Sequence, residues 1–182
     1  AKAEQFKIGG IHLYRWKKSN TRSESTLTSG LSSGKVLLVH GWSGRGTQMY
    51  SFIQPLLENN FEVIAMDGPA HGNSMGEQTN AGEFSRALLE VGTALGEFKA
   101  IIGHSFGAGC IALAATQGLK SEKLVLISCP ADYGRVVDTF LNFVSLSEKS
   151  RNHFTKKLVA MAKVDPKDFN IGKLGSKLRQ ED

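Results

Sequence analysis

From Lys35 to Ser128, short apolar runs alternate with longer stretches whose apolar residues recur every three or four positions, and this constrains the fold more than any other feature. The runs Val36 to His40, Phe61 to Asp67, Ala100 to His104 and Lys123 to Ser128 are near-continuous, as expected of strands covered on both faces of a parallel sheet. Between them, Gln48 to Glu58 sets Tyr50, Ile53, Leu56 and Leu57 on one helical face, and Ala81 to Phe98 does the same with Phe84, Leu88, Val91 and Leu95. The third stretch, Phe106 to Gln117, is rich in Ala and other small residues and suits close packing on a sheet. Strand and helix in alternation predict an α/β fold built on a doubly wound, mostly parallel sheet.

The flanks follow other rules. Gln5 to Ile8 and Ile11 to Lys17 predict an N-terminal antiparallel hairpin turning at Gly9-Gly10, and the Ser, Thr and Gly of residues 19–34 predict a flexible connection. After Cys129-Pro130, Val136 to Leu146 and Phe154 to Lys163 read as amphipathic helices with no strand between them. Asp165-Pro166, Gly172 and Gly175 then predict a break, followed by a charged tail, Lys177 to Asp182. The expected division is a partial α/β core over residues 1–130 and a helical cap or lid with its tail over 131–182.

Composition removes several function classes. A chain of 182 residues, 41% apolar and 21% charged, can bury one ordinary core and is not expected to be disordered. No apolar run approaches the roughly 20 residues of a membrane-spanning helix, so no membrane span is expected. The net charge of +5 sits at the ends: residues 1–35 hold 7 Lys/Arg against 2 Asp/Glu, residues 149–182 hold 9 against 4, and the centre holds 6 against 11. An acidic centre with solvated basic flanks argues against a nucleic-acid partner. Cys110 and Cys129 lie in apolar segments without metal-ligand spacing and read as buried small hydrophobes. No metal is expected, and the Gly41 to Gly46 stretch lacks the Lys-Ser/Thr of a phosphate loop, so no cofactor is implied. The N-terminus lacks the apolar core of a secretory signal, which makes the cytoplasm the expected location.

The chemistry centres on Gly103-His104-Ser105-Phe106-Gly107, a G-x-S-x-G pattern that follows a predicted strand and opens a predicted helix. A sharp turn there would lift the Ser105 hydroxyl above the C-terminal edge of the sheet, where open α/β sheets bind ligands. Standing alone, the pattern also fits a small helix cap between two packing glycines. It does not stand alone, because His40-Gly41-Trp42 ends an earlier strand in a glycine-permitted turn. The main-chain N–H groups of Trp42 and Phe106 would form a two-donor oxyanion hole, in which one donor is typically worth about 100- to 1,000-fold in rate.

With Asp67-Gly68-Pro69-Ala70-His71-Gly72-Asn73-Ser74 after the intervening strand, three landmarks stand in order, and over about residues 5–130 the chain resembles the N-terminal part of the α/β-hydrolase superfamily. The resemblance implies an α/β-hydrolase fold lacking its last strands, with residues 131–182 as the cap region. It implies Ser105 as nucleophile, Trp42 and Phe106 as oxyanion donors, and His40, Gly41, His71 and His104 as supporting loop residues. Ser in place of Asp disfavours the dehalogenase and epoxide hydrolase branches and points to a serine esterase, thioesterase, lipase or amidase. The middle landmark departs from the family's D-x-P-G-x-G-x-S loop at Ala70, where Gly is usual. The apolar residues Val136, Val137, Phe140, Leu141, Phe143 and Val144 suit an apolar acyl or alcohol group, and each is equally compatible with ordinary packing.

A triad in this fold runs Ser, then Asp or Glu, then His. Downstream of Ser105 the only histidine is His153, at the start of a predicted helix, where it reads as a surface residue. His71 is the nearest substitute base, and Asp132, after the last strand, is either the acid or a turn-starting residue. Three readings follow. The first is a serine hydrolase of small-molecule carboxylic esters or thioesters whose base, and with it part of its C-terminal sheet, lies outside these residues. The second is a non-catalytic hydrolase-like module that binds a ligand or partner. The third is a half-fold completed by a homodimer or a complementing C-terminal segment.

Overall fold

The computed structural model describes residues 2–18 and 32–178. The connection expected over 19–34 therefore lies, up to residue 31, outside the described residues, as does the tail beyond Leu178. Six strands form one sheet: β1 (Glu4–Ile8), β2 (Ile11–Trp16), β3 (Lys35–Val39), β4 (Glu62–Met66), β5 (Ala100–His104) and β6 (Leu124–Ile127). Their order is β1-β2-β4-β3-β5-β6. β1 and β2 form the antiparallel hairpin, β2 joins β4 antiparallel, and β4, β3, β5 and β6 run parallel.

The sheet is covered on both faces. Leu37, Val39, Ile64, Met66 and Ile101 pack against α2 (Ala81–Leu95) and α3 (Ser105–Ala115) through Phe84, Leu88, Val91, Cys110 and Ile111. Their strand neighbours Val36, Leu38, Val63, Ala65 and Ile102 face the opposite way, toward Met49 and toward Leu57 on α1 (Ile53–Glu58). Near-continuous apolar strands follow directly, because alternate side chains serve two different layers. Ser85 of α2 donates its hydroxyl to the Cys110 carbonyl at 3.1 Å, fixing α2 to α3. At β6 the cover thins: Leu124 and Leu126 still face the α2–α3 layer, whereas Val125 is 42% exposed.

Several elements differ from expectation. The single helix expected over Gln48 to Glu58 is a 3-10 segment, Gly46–Phe52, followed by α1. A 3-10 turn repeats every three residues, so Gly46 and Met49 turn inward and Tyr50 turns out, 71% exposed. Of the expected face, Leu57 alone is fully buried. α2 stops at Leu95, three residues early, because Gly96 takes φ +75°. The two C-terminal helices begin earlier than their apolar patterns, as α4 (Tyr133–Phe143) and α5 (Glu148–Ala162), since Asp132 and Ser147 cap them by accepting from Arg135 N–H and Ser150 N–H.

The break expected at Gly172 and Gly175 is instead a helix, α6 (Ile171–Leu178). Its Leu174 is buried with Tyr133 and Phe169 against Ala112 and Leu113 of α3, and this burial outweighs the roughly 1 kcal/mol that each helical glycine costs. Cys110 is buried as expected, but Cys129, beyond the end of β6, is only half-buried, and neither forms a disulfide. Among the described residues no helix is long and apolar enough to cross a membrane.

Candidate active site

Ser105 sits where β5 passes directly into α3, at φ +51°. A non-glycine residue in this left-handed region costs about 1–2 kcal/mol, so the turn is held by its surroundings. The flanking glycines allow it. A side chain at Gly103 would stand 3.0 Å from the Ala108 main chain, and one at Gly107 would overlap the His40 carbonyl oxygen. The cap position of α3 belongs to His104, which makes no capping bond, so Ser105 is not spent as a helix cap.

The loop after β3 presses on this elbow. A Cβ at Gly41 would lie 3.2 Å from the Ser105 Cβ and 3.0 Å from His104 Nδ1. Gly44 N–H donates to the Gly41 carbonyl at 3.1 Å, closing a turn in which Ser43 adopts φ +56°. Trp42, 57% exposed, stands edge-on to Phe106 with ring centroids 4.9 Å apart. The two residues whose N–H groups are the candidate oxyanion donors are thus neighbours across the ends of β3 and β5. The chain leaves β3 toward β4 on one side, and β5 leads to β6 on the other, so this is the sheet's switch point.

Two histidines hold the loop and are used up in doing so. His71 Nε2 accepts from Ser43 N–H at 3.1 Å, and its Nδ1–H donates to the Pro69 carbonyl at 2.8 Å. His40 is fully buried: Nε2 accepts from Gly68 N–H at 2.8 Å and Nδ1–H donates to the Gly41 carbonyl at 2.6 Å. Burial holds the His40 pKa below its ordinary 6.5, which keeps the ring neutral and both bonds intact. His104 is exposed at the start of α3, and His153 is exposed on α5.

Beneath these loops lies Asp67, fully buried. Its carboxylate accepts from Gly46 N–H at 2.7 Å, Asn73 N–H at 2.8 Å and the Tyr14 hydroxyl at 3.1 Å. It ties the hairpin, the loop after β3 and the loop after β4 to one point. Ala70, the departure from the usual loop, takes φ +59°, the conformation for which glycine is suited.

On the other side, Asp132 accepts from Arg135 N–H and from the Asn170 amide, both at 3.1 Å, and these bonds hold its carboxyl below the usual range. One oxygen therefore caps α4 and the other ties its start to Asn170, just before α6. Tyr133, next to it, stacks on Phe169 at 3.9 Å and directs its hydroxyl to the Ser105 and Phe106 carbonyls, at 3.3 and 3.5 Å. Burial pushes its phenol pKa well up, so it stays a donor. The role of Tyr133 was not read from the sequence. The signal was Gly109, where any side chain would overlap the Tyr133 ring.

Two cavities share Trp42 in their walls. An apolar one of 190 Å³ lies between Trp42, Phe106 and Tyr133 below and Val137, Leu158 and Ala162 of α4 and α5 above. A polar one of 540 Å³ lies between the loop after β3 and the segment leading to α2. Of the expected apolar cap face, Val137 lines the first cavity and Leu141 is buried, but Val136, Phe140, Phe143 and Val144 point to solvent. Among the described residues, no three His, Cys, Asp or Glu side chains converge as a metal site would require.

The comparisons concern the fold. An esterase from Pyrococcus furiosus superposes with a TM-score of 0.65 at 16% identity, over 100% of this chain and 78% of that one. Alpha/beta hydrolase domain-containing protein 10 from mouse gives 0.60 at 16%, over 86% of this chain and 59% of that one. The thioesterase domain from the curacin biosynthetic pathway gives 0.57 at 22%, over 72% and 45%. At these identities the likeness is one of fold, and the chain spans only about half the length of the last two. No curated protein matches the sequence significantly. Residues 36–170, well over half of the chain and spanning the strand-to-helix elbow, match the sequence model of the Alpha/beta hydrolase family, and the chain belongs to that family.

Proposed function

We propose that the chain is a serine hydrolase of small-molecule carboxylic esters or thioesters, with Ser105 as nucleophile and the N–H groups of Trp42 and Phe106 as oxyanion donors. The observation that carries this reading is the φ of +51° at Ser105, at the strand-to-helix junction and pressed against Gly41. Strain at a strand-to-helix junction, held in place by the loops around it, favours a functional role for this serine. In the reaction Ser105 Oγ adds to the acyl carbon, the oxyanion is held by the two N–H groups, and the leaving group departs with a proton. Residues 131–182 act as the cap, and the apolar cavity beneath α4 and α5 receives the acyl group. The fold neighbours, an esterase and a thioesterase domain among them, favour acyl-transfer chemistry. Two unpaired cysteines are in keeping with a cytoplasmic setting.

The general base enters from outside residues 1–182. His40 and His71 have both ring nitrogens committed to the main chain, and His153 is exposed on α5. The half-exposed edge at β6 is the place where a complementing C-terminal segment or a second copy would dock. The same commitment of the histidines favours a second reading, a hydrolase-like module that binds its ligand without turning it over.

Hydrolysis of p-nitrophenyl esters and acyl thioesters by the full-length protein separates the two. Turnover that disappears in Ser105→Ala supports the hydrolase. Ligand binding retained in Ser105→Ala, with no turnover by the unaltered protein, supports the binding module.

A further inference from the structure

Tyr133 is the first residue of α4, yet its side chain is buried and reaches back onto the elbow. Its aim is fixed from several sides. Asp132 caps the helix beside it, its own N–H donates to the Phe169 carbonyl at 3.1 Å, and its ring lies flat on Phe169 with centroids 3.9 Å apart. Gly109 admits it, because any side chain there would overlap the phenol oxygen. The hydroxyl so held donates to the Ser105 carbonyl oxygen at 3.3 Å, with that of Phe106 slightly farther at 3.5 Å. The Ser105 carbonyl and the Phe106 N–H are two ends of one peptide group. That group is planar, so a bond that holds its oxygen also sets the direction of its N–H. A donor at the oxygen further polarises the group and strengthens the N–H as a donor, by about 10–30% per bond. Ser105, at φ +51°, leaves the orientation of this peptide to its surroundings, and Tyr133 is the side chain that bonds it.

We infer that Tyr133 is a positioning residue for the oxyanion hole and makes the activity of Ser105 depend on how the start of α4 is seated. This rests on the hydrolase reading of Ser105, with the Phe106 N–H as a donor. Tyr133 acts through the Ser105–Phe106 peptide, not on the reacting atoms. Addition of Ser105 Oγ to the acyl carbon, and later of water to the acyl-enzyme, each turns the acyl carbonyl oxygen into an oxyanion. That charge returns to the carbon as the bond to the leaving oxygen breaks, so both steps draw on the same N–H. Because Phe169 lies between Tyr133 and α6, the packing of the C-terminal helices is felt at this peptide.

Tyr133→Phe keeps the ring and removes only the hydroxyl, and the full-length protein is assayed with p-nitrophenyl hexanoate. The kcat is expected to fall about tenfold with KM unchanged, less than the roughly 100- to 1,000-fold of a deleted donor, because the N–H is still present but no longer held. Inhibition by hexyl trifluoromethyl ketone, which a nucleophilic serine converts to an anionic hemiketal, should weaken by the same factor of about ten. Phe169→Leu, which removes the stack and not the hydroxyl, should lower kcat alone but not further when added to Tyr133→Phe. A hydroxyl that only adds stability would lower the melting temperature and leave kcat and the inhibition constant where they were. That result, or a loss carried wholly by KM, overturns the assignment and leaves Ser105 as nucleophile. No turnover by the unaltered protein overturns the hydrolase reading and the assignment together.

Discussion

The C-terminal ends of β3, β4 and β5 lie in the same sheet as the end of β6, yet the two regions are completed to different degrees. At the first three, His40, His71 and Asp67 bond the loops on every side, and the glycines at 41, 103 and 107 let those loops touch. At β6, Val125 stands half-exposed, Asp132 spends its carboxylate on the cap of α4 and on the Asn170 amide, and Val136, Phe140 and Phe143 of α4 face solvent, Phe143 being 86% exposed. The difference teaches which parts of the proposed acyl-transfer site a chain can build from its own local backbone. A strained serine and a pair of N–H groups need only loops that close on one another. On the proposed reading, the base comes from further chain beyond the edge strand.

The largest expected effect lies on the completed side. Asp67→Ala leaves the N–H groups of Gly46 and Asn73 without their acceptor beneath the loops, and at about 1–3 kcal/mol for each buried unpaired group the loss should reach about 3 kcal/mol in urea unfolding. A loss under about 1 kcal/mol breaks the contrast, because these loops would then be no better tied than α4. Next comes pH. His40 has its pKa depressed by burial, so below pH 6.5 the unfolded chain takes up a proton that the folded ring refuses. Stability is therefore complete above 6.5 and declines as pH falls from there toward the lower folded value. Unfolding midpoints at pH 7.5 and 5.5 check this, and the part of the slope due to His40 should vanish in His40→Gln.

A smaller effect of opposite sign is expected at Ala70. Ala70→Gly relieves a positive φ and should stabilise by about 0.5–1 kcal/mol, since the strain removed exceeds the entropy gained by the unfolded chain. A destabilised variant would show that the loop does not hold this conformation in solution. The smallest effect is expected on the open side. Phe143→Ser should change stability by less than about 0.5 kcal/mol, as for other exposed positions. A loss of several times that size would mean that something already covers α4, and the contrast between the two regions would disappear.

The same division decides how much was legible in the sequence. The strands and their parallel order follow from continuous apolar runs, and the elbow follows from two glycines around a serine, because both are local patterns. The 3-10 segment reads as an α-helix in the sequence since Tyr50 fits a 3.6-residue period as well as Leu57 does, whereas the fold turns Gly46 inward, where a side chain would stand 3.0 Å from the Met66 carbonyl. α6 was read as a break because its glycines weaken a helix in isolation, whereas its stability comes from burying Leu174 on a distant helix. The contacts of Tyr133 with the elbow were invisible for the same reason. They depend on which residues the fold brings together across tens of positions, and no spacing records that.

The central claim is that Ser105 is a preformed nucleophile that needs only its base. It is tested most directly by treating the full-length protein with a fluorophosphonate probe and mapping the adduct by mass spectrometry. The account predicts a covalent adduct on Ser105, lost in Ser105→Ala. Absence of labelling, or labelling that is unchanged in Ser105→Ala, would contradict it.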